Sequence, residues 1–241
     1  MTISSDYFEY IAKGDQNLYV SLLNISDCNN FFLLLDSQWK EHCEHIGKVP
    51  GISTKDAYFV SATFFLIAQR QFRNAYYLFL RRLSYDALLP FRVALEGTVF
   101  GYRIAKDASL AEVWAKTNVN RKEFREKIRD AAYPPDMPFR DEIKREIDTL
   151  NEHWEHPNVN YASQTVDIHN KEIKAYSYDQ DEQKYYLVLF SFLENCYRCP
   201  AVIRSSIDGR FPVYLTSTEQ AFNNLRTQLD ALKTRYHSNA K

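Results

Sequence analysis

Six glycines in 241 residues constrain this chain more than any other feature of its sequence. They make up about 2.5% of the residues, against an average near 7%. Tight β-turns, bulges and phosphate-cradling loops draw on glycine because it alone enters left-handed backbone conformations without strain. A glycine-turned β-sandwich or barrel, a Rossmann enzyme and a P-loop enzyme are therefore excluded, and an all-α fold is expected. The glycine positions agree: Gly14, Gly47, Gly51 and Gly209 fall at expected helix stops or turns. Gly97 and Gly101 fall inside an expected helix, where each costs about 1 kcal/mol relative to alanine. Their Gly-x-x-x-Gly spacing lets another helix approach closely, within the bundle or across the seam of a homodimer.

Hydrophobic spacing and helix punctuation predict a multi-helix bundle built on a long antiparallel helical hairpin, with one small β-hairpin inserted. The chain is read as a single helical domain, 1–241. Its N-terminal helices occupy 1–52, with short helices at Asp6–Lys13 and Asn17–Leu23 separated by a stop at Gly14 and a cap at Asp15. Asn29 or Asn30 is expected to open the next helix, through His45. The central bundle, 53–160, begins with a helix capped by Ser53 or Thr54. Its first half is apolar on nearly every side (Tyr58, Phe59, Val60, Phe64, Phe65, Leu66, Ile67), the mark of a buried helix. After Arg81-Arg82, Ser84 is read as the cap of the hairpin's second arm, which runs to about Ala105. Shorter polar helices follow over Leu110–Thr117, Arg121–Ala131 and Phe139–His153. The β-hairpin is placed in 161–180, where Val166, Ile168, Ile173 and Ala175 alternate with polar residues. Two C-terminal helices fill 181–241, the last capped by Ser217 or Thr218.

Charge and cysteine usage exclude further classes. With 30 Lys+Arg against 31 Asp+Glu, the net charge of −1 gives no basic footprint for nucleic acid. Four cysteines in a chain of this length do not make a disulfide scaffold. The longest apolar-rich run, Ala57 to Ala68, is shorter than the roughly 20 residues of a membrane span. A cytoplasmic protein without a membrane segment is expected, and no cofactor.

Four constellations carry chemistry. Arg92 and Glu96 stand four apart on one helix face among Phe91, Val93, Ala94, Leu95, Val99 and Phe100. Arginine ahead of glutamate is the weaker order for helix stability, so the pair either fixes helix register or lines a functional cleft. Glu41-His42-Cys43-Glu44-His45 and Glu152-His153-Trp154-Glu155-His156 both read Glu-His-x-Glu-His. His42 with His45, and His153 with His156, are weak metal-ligand candidates, because imidazole and carboxylate suit zinc, iron or manganese. The di-iron Glu-x-x-His spacing is absent: Trp39, His42, Leu150 and His153 stand three residues before the four histidines. Cys196-Tyr197-Arg198-Cys199-Pro200 lies late in an apolar helix, which suits two small core residues better than a redox pair. The Gly97/Gly101 pair is the fourth.

Tyr85-Asp86-Ala87-Leu88-Leu89-Pro90-Phe91-Arg92-Val93-Ala94-Leu95-Glu96, read with His156-Pro157-Asn158, resembles the Arg-x-x-x-Glu helix and later His-Pro of a broad set of uncharacterised bacterial all-helical proteins. These are distantly similar to the HEPN superfamily, common in toxin–antitoxin and phage-defence systems. The resemblance covers about half of the chain. It implies a helical, dimer-prone fold and, for the ribonuclease members, an arginine and a later histidine with four to six residues between them. No arginine here meets that spacing; the nearest pair, Arg145 and His153, has seven residues between. The leading expectation is thus a HEPN-like protein binding a partner or small ligand through a polar cleft at Arg92, Glu96, His156 and Asn158. A second is an RNA-cleaving or other hydrolytic enzyme with an atypical site of Arg92, Glu96 and His153 or His156, histidine serving as base and arginine stabilising phosphate charge. A third is a metal-dependent helical enzyme. The partner is left as an unknown protein or small molecule, with RNA not indicated by charge.

Overall fold

The computed structural model describes residues 5–49, 52–53, 55–154, 166–167, 172–173, 178–179 and 181–239. Nine α-helices are described: α1 (Ser5–Asn24), α2 (Ser26–Gly47), α3 (Ala57–Leu80), α4 (Ser84–Lys106), α5 (Ser109–Ala115), α6 (Arg121–Phe124), α7 (Arg140–Trp154), α8 (Glu182–Ile207) and α9 (Pro212–Asn239). α6 runs on into one π turn, Arg125–Arg129. The expected β-hairpin of 161–180 lies mostly outside the described residues. Within it, β1 (Val166–Asp167) pairs antiparallel with β2 (Glu172–Ile173), Val166 opposite Ile173.

α3 and α4 run antiparallel at the centre. Phe72 meets Phe91 at 6.0 Å between ring centroids, Gly97 faces Ala68, and Gly101 faces Phe65. The two glycines do different work. A methyl group on Gly97 would sit 3.5 Å from the Ala68 Cβ and the Phe64 carbonyl oxygen, an ordinary contact. A methyl group on Gly101 would overlap the ring of Phe65, which is wholly buried and has no space to retreat into. Gly97→Ala is therefore expected to leave stability unchanged or raise it by up to about 1 kcal/mol, from helix propensity. Gly101→Ala should lower it by about 1–3 kcal/mol, overpacking outweighing the same propensity gain. Urea-unfolding midpoints of the two variants should move apart.

α8 lies across the α3–α4 pair, mainly on α4, and α2 packs beside it against α3, Phe32 of α2 meeting Phe192 of α8 at 6.1 Å. Trp39 of α2 stacks edge-on against Phe72 at 5.2 Å, and its indole N–H donates to the Phe65 carbonyl oxygen at 2.9 Å. α9 packs along α2 and α8, stacking Phe222 on Tyr197 at 5.1 Å and setting the Tyr236 hydroxyl 2.8 Å from Asp27. α1 meets α2 at 89°. A smaller cluster of Val60, Phe64, Ile104, Leu110, Val113 and Ile128 joins α5 and the π turn to the far end of the hairpin. Among the described residues, no single helix is long and apolar enough to cross a membrane.

Several helix boundaries differ from the sequence expectation, each for a stated cause. Gly14 and Asp15 do not break α1, which runs through both. The guanidinium of Arg81 occupies the space where a side chain at 14 would stand, so this glycine serves packing. α2 begins at Ser26 rather than at Asn29 or Asn30; Asn29 instead donates to the Leu22 carbonyl oxygen across the bend and accepts from the Tyr76 hydroxyl. Asp56, rather than Ser53, caps α3 by accepting from the Tyr58 N–H at 2.8 Å, and Thr54 lies outside the described residues. Ser84 is the first residue of α4, not its cap. The carboxylate of Asp179, distant in sequence, accepts from both its N–H at 3.0 Å and its hydroxyl at 2.5 Å. α9 starts at Pro212, where a missing N–H costs nothing, five residues before Ser217.

The turn between α3 and α4 holds Arg82 at φ 61°, a left-handed conformation usually taken by glycine after a helix. The Leu83 N–H reaches back to the Leu78 carbonyl oxygen at 3.0 Å, and the Arg82 N–H to that of Phe79 at 2.9 Å, so the helix end is closed. The side chain justifies the strain: its guanidinium lies 3.9 Å above the Tyr185 ring and pairs with Glu182 at 3.0 Å. The Asp179 N–H donates to the Arg82 carbonyl oxygen at 2.9 Å. Asp179, Glu182 and Tyr185 thus fasten the turn.

Candidate functional site

A cleft of about 500 Å3 opens between α4, the π turn and α7. α4 contributes Arg92, Glu96, Val99, Phe100 and Arg103, a stripe at helical spacing adjacent to the face that holds Gly97 and Gly101. The π turn and the loop after it contribute Arg129, Asp130 and Tyr133, and α7 contributes Ile147, Asp148 and Asn151. Val99 and Ile147 are buried and form an apolar floor. The volume is within the range of small-molecule sites, about 300–1,000 Å3.

Three guanidinium groups and three carboxylates line this cleft, so its formal charge is zero, but they are not equivalent. Arg103 is buried, 5% exposed, and its two terminal nitrogens donate to the carbonyl oxygens of Ile128 and Ala131. Those carbonyls belong to the end of the π turn, whose own wide bond runs from the Asp130 N–H to the Arg125 oxygen at 2.7 Å. Arg103 therefore holds the cleft wall in shape. Burial pulls its pKa below the usual arginine range, partly offset by Tyr133, whose ring it faces at 5.4 Å. Arg129 forks onto the carboxylate of Asp130 at 2.7 and 3.2 Å, and that hydrogen bonding raises its pKa. Lys144 pairs with Asp148.

Arg92 and Glu96 are joined at 3.0 Å from Nε to Oε1, with side chains 25% and 29% exposed. They are half-buried and on the cleft wall. No hydrogen bond reaches the terminal nitrogens of Arg92 among the described residues. The Oδ1 of Asn151 is shut off from solvent and also has no partner there. An unpaired buried polar atom costs about 1–3 kcal/mol; Arg103 Nε carries the same cost, and a water-sized group in the cleft reaches neither atom. The Tyr133 hydroxyl is pushed up by burial, against the opposing pull of Arg103 and Arg92.

The remaining sequence candidates are placed differently. His153 lies on α7 two residues past Asn151; its side chain, and all of His156 and Asn158, fall outside the described residues. His42 and His45 face the start of α9, where Tyr214 stands between them. Nδ1 of His42 is 2.7 Å from the Tyr214 hydroxyl, and the His45 ring stacks on Tyr214 at 3.8 Å. Among the described residues, no group of three or more His, Cys, Asp or Glu side chains is placed to hold a metal ion. Cys196 and Cys199 are free, fully buried thiols, and burial pushes Cys199 up to about 12.

His42 has a consequence for stability. Burial, with Arg204 and His45 nearby, lowers its pKa from 6.5 to about 3. The unfolded chain takes up a proton below pH 6.5 that the folded chain refuses. The stability contributed by neutral His42 is thus complete above pH 6.5 and falls as pH drops toward 3, by up to about 1.4 kcal/mol per unit. His42→Gln keeps a partner for Tyr214 but cannot titrate. It should flatten the decline in chemical-denaturation stability between about pH 6 and 4, and an unchanged slope would assign the decline to other groups.

Sequence reasoning found Arg92 and Glu96 but missed Arg103, Arg129, Asp130, Tyr133, Asp148 and Asn151 as their companions. Extending the Arg92–Glu96 stripe by two turns reaches Arg103, so that residue was within reach. The others depend on how the π turn and α7 pack, which no local pattern encodes. The chain matches no family model, no curated protein and no solved structure.

Proposed function

We propose that this chain is a HEPN-like helical-bundle protein that binds a small polar ligand in the cleft between α4, the π turn and α7. The observation that carries the reading is convergence. Charged and polar side chains from three segments, spanning positions 92 to 151, line one cavity, which is the default signature of a binding site. The Arg92–Glu96 pair supports it. An i,i+4 ion pair that remains partly exposed contributes about 0.3–0.5 kcal/mol to stability, a weak reason to embed two charges in an apolar helix.

Arg92→Met separates ligand binding from scaffold. It should change the midpoint of urea unfolding only slightly, since the lost pair is worth so little. It should weaken by about tenfold or more any ligand that contacts the guanidinium. The measurement is an amide chemical-shift screen of wild type and variant against pooled amino acids, peptides, sugars, nucleotides and inorganic phosphate. Shifts confined to residues 92–103, 129–133 and 147–151, and lost in the variant, are the expected result. A screen with no shifts in those segments removes the proposal. Cleavage of added RNA by wild type, lost in His153→Ala or His156→Ala, would replace it with the hydrolytic reading.

A further inference from the structure

We infer that the face framed by α1, α2 and α3 is a two-fold interface between two copies of this chain. Three contacts tie the frame together at its corners. The Arg81 guanidinium of α3 pairs with Asp15 of α1 at 3.3 Å, and Arg73 of α3 forks onto Asp36 of α2 at 2.7 and 2.8 Å. Asn29 of α2 donates to the Leu22 carbonyl oxygen of α1 at 3.2 Å and accepts from the Tyr76 hydroxyl of α3. Between the corners stand Tyr19, Leu33 and Tyr77, each four residues on from a corner residue and so on the same helix face, with Leu22 beside them. These four are between 43% and 71% exposed. None of them lines the cleft at Arg92. Gly97 and Gly101, the seam that their spacing suggested for a dimer, are taken up by the α3–α4 contact instead.

Area and charge together specify a second copy. A fully exposed leucine or tyrosine presents about 200 Å2, so these four side chains leave on the order of 450 Å2 open. Each partner of a standard interface contributes about 800 Å2, roughly 56–65% of it apolar. The patch therefore supplies about the apolar share that one side of a stable dimer needs. Its rim shows what faces it. In both ion pairs one member is covered and the other open, and the open members differ in sign. Asp15 and Arg73 are half exposed or more, while Arg81 and Asp36 are less than a fifth exposed. The rim thus presents an anion at one corner and a cation at another, about 12 Å apart along α3 at 1.5 Å per residue. A two-fold axis through the patch lays Asp15 of each copy on Arg73 of the other, because such an interface makes every contact twice. An unrelated partner would have to supply both charges at that separation; a second copy carries them already.

The test is sedimentation equilibrium of the full chain from about 1 to 200 μM, which covers the weak end of affinities for interfaces of this size. The mass should rise from one chain towards two. Leu33→Glu, at an exposed position outside the core, should weaken association about tenfold or more, since it buries a carboxylate without a partner. Arg73→Glu and Asp15→Arg test the two-fold arrangement itself. Alone, each variant sets like charges against each other twice and should remain a single chain over the same range. Mixed in equal amounts, they should associate as the wild type does. The new glutamate of one then meets the new arginine of the other, while the unchanged Asp15 and Arg73 meet across the second contact. Recovery in the mixture also shows that both variants are folded. Wild type that remains a single chain throughout overturns the proposal, and its binding to vesicles of phosphatidylcholine and phosphatidylglycerol would give the face to a membrane instead. A dimer that Leu33→Glu leaves unchanged, or a mixture that does not associate, overturns it equally.

Discussion

Replacing Phe192 by alanine should destabilise the protein by about 3–5 kcal/mol, the range for emptying a fully enclosed aromatic site. Phe192 of α8 is wholly buried, and five rings surround it: Phe79 at 4.8 Å, Phe91 at 5.2 Å, Phe72 at 5.7 Å, and Phe32 and Tyr76 at 6.1 Å. These belong to α2, α3 and α4, so one side chain ties four helices together. The neighbours cannot collapse into the space, because Phe79 and Phe91 sit on opposite arms of the α3–α4 pair and are themselves buried. Phe192→Leu fills most of the same space and should recover more than half of the loss. Equilibrium urea unfolding of both variants measures this. A loss below about 1 kcal/mol for the alanine variant would mean that the aromatic cluster is not the centre of the core.

Arg103→Met should cost about 2–4 kcal/mol and also disable the cleft. The guanidinium bridges two carbonyls at the end of the π turn, and a thioether offers neither a donor nor a charge, so both acceptors lose their protein partner. Lysine should not rescue the variant, because one ammonium cannot reproduce a planar fork onto two oxygens. The damage is expected to be local. Hydrogen-exchange protection should fall over 125–131 while the amides of α8 and of the second half of α3 keep theirs, since the main cluster takes no residue from 125–131 and Ile128 packs only with the start of α3, the end of α4 and α5. Loss of the wall moves Arg129, Asp130 and Tyr133, so ligand-induced shifts in the cleft should disappear with it. Uniform loss of protection throughout the chain would instead make Arg103 part of the global core.

The sequence announced helices and hid their partners. The apolar sweep of Tyr58 to Ile67 identified a buried helix because its cause is local, a side-chain pattern read at 3.6 residues per turn. Gly14 misled because the same residue that ends helices also admits a neighbour, and the neighbour, Arg81, is 67 positions away. Ser84 misled in the same way: its own hydroxyl is a competent cap, but Asp179 reaches its N–H first. Arg92 and Glu96 stood out because charges are rare amid Phe91, Val93, Ala94 and Leu95. Asn151 did not, since one more polar residue in the polar α7 carries no signal until α4 is laid beside it. What was legible lies within about one helical turn of its cause, and what was not is tertiary.

Arg82 and Ser84 bear on how the chain is made. Synthesis runs from the N-terminus, so both arms of the central helical pair leave the ribosome well before residues 179–185. During that interval the left-handed turn at Arg82 lacks the Tyr185 ring and Glu182, and the first turn of α4 lacks the Asp179 carboxylate. Until then the nascent pair is held by its own seam, where Gly101 and Phe65 interlock, and by the earlier α2, whose Trp39 donates to the Phe65 carbonyl oxygen. Nearly a hundred residues must be added before the turn is locked, and a chain released early would carry the two arms without their clasp.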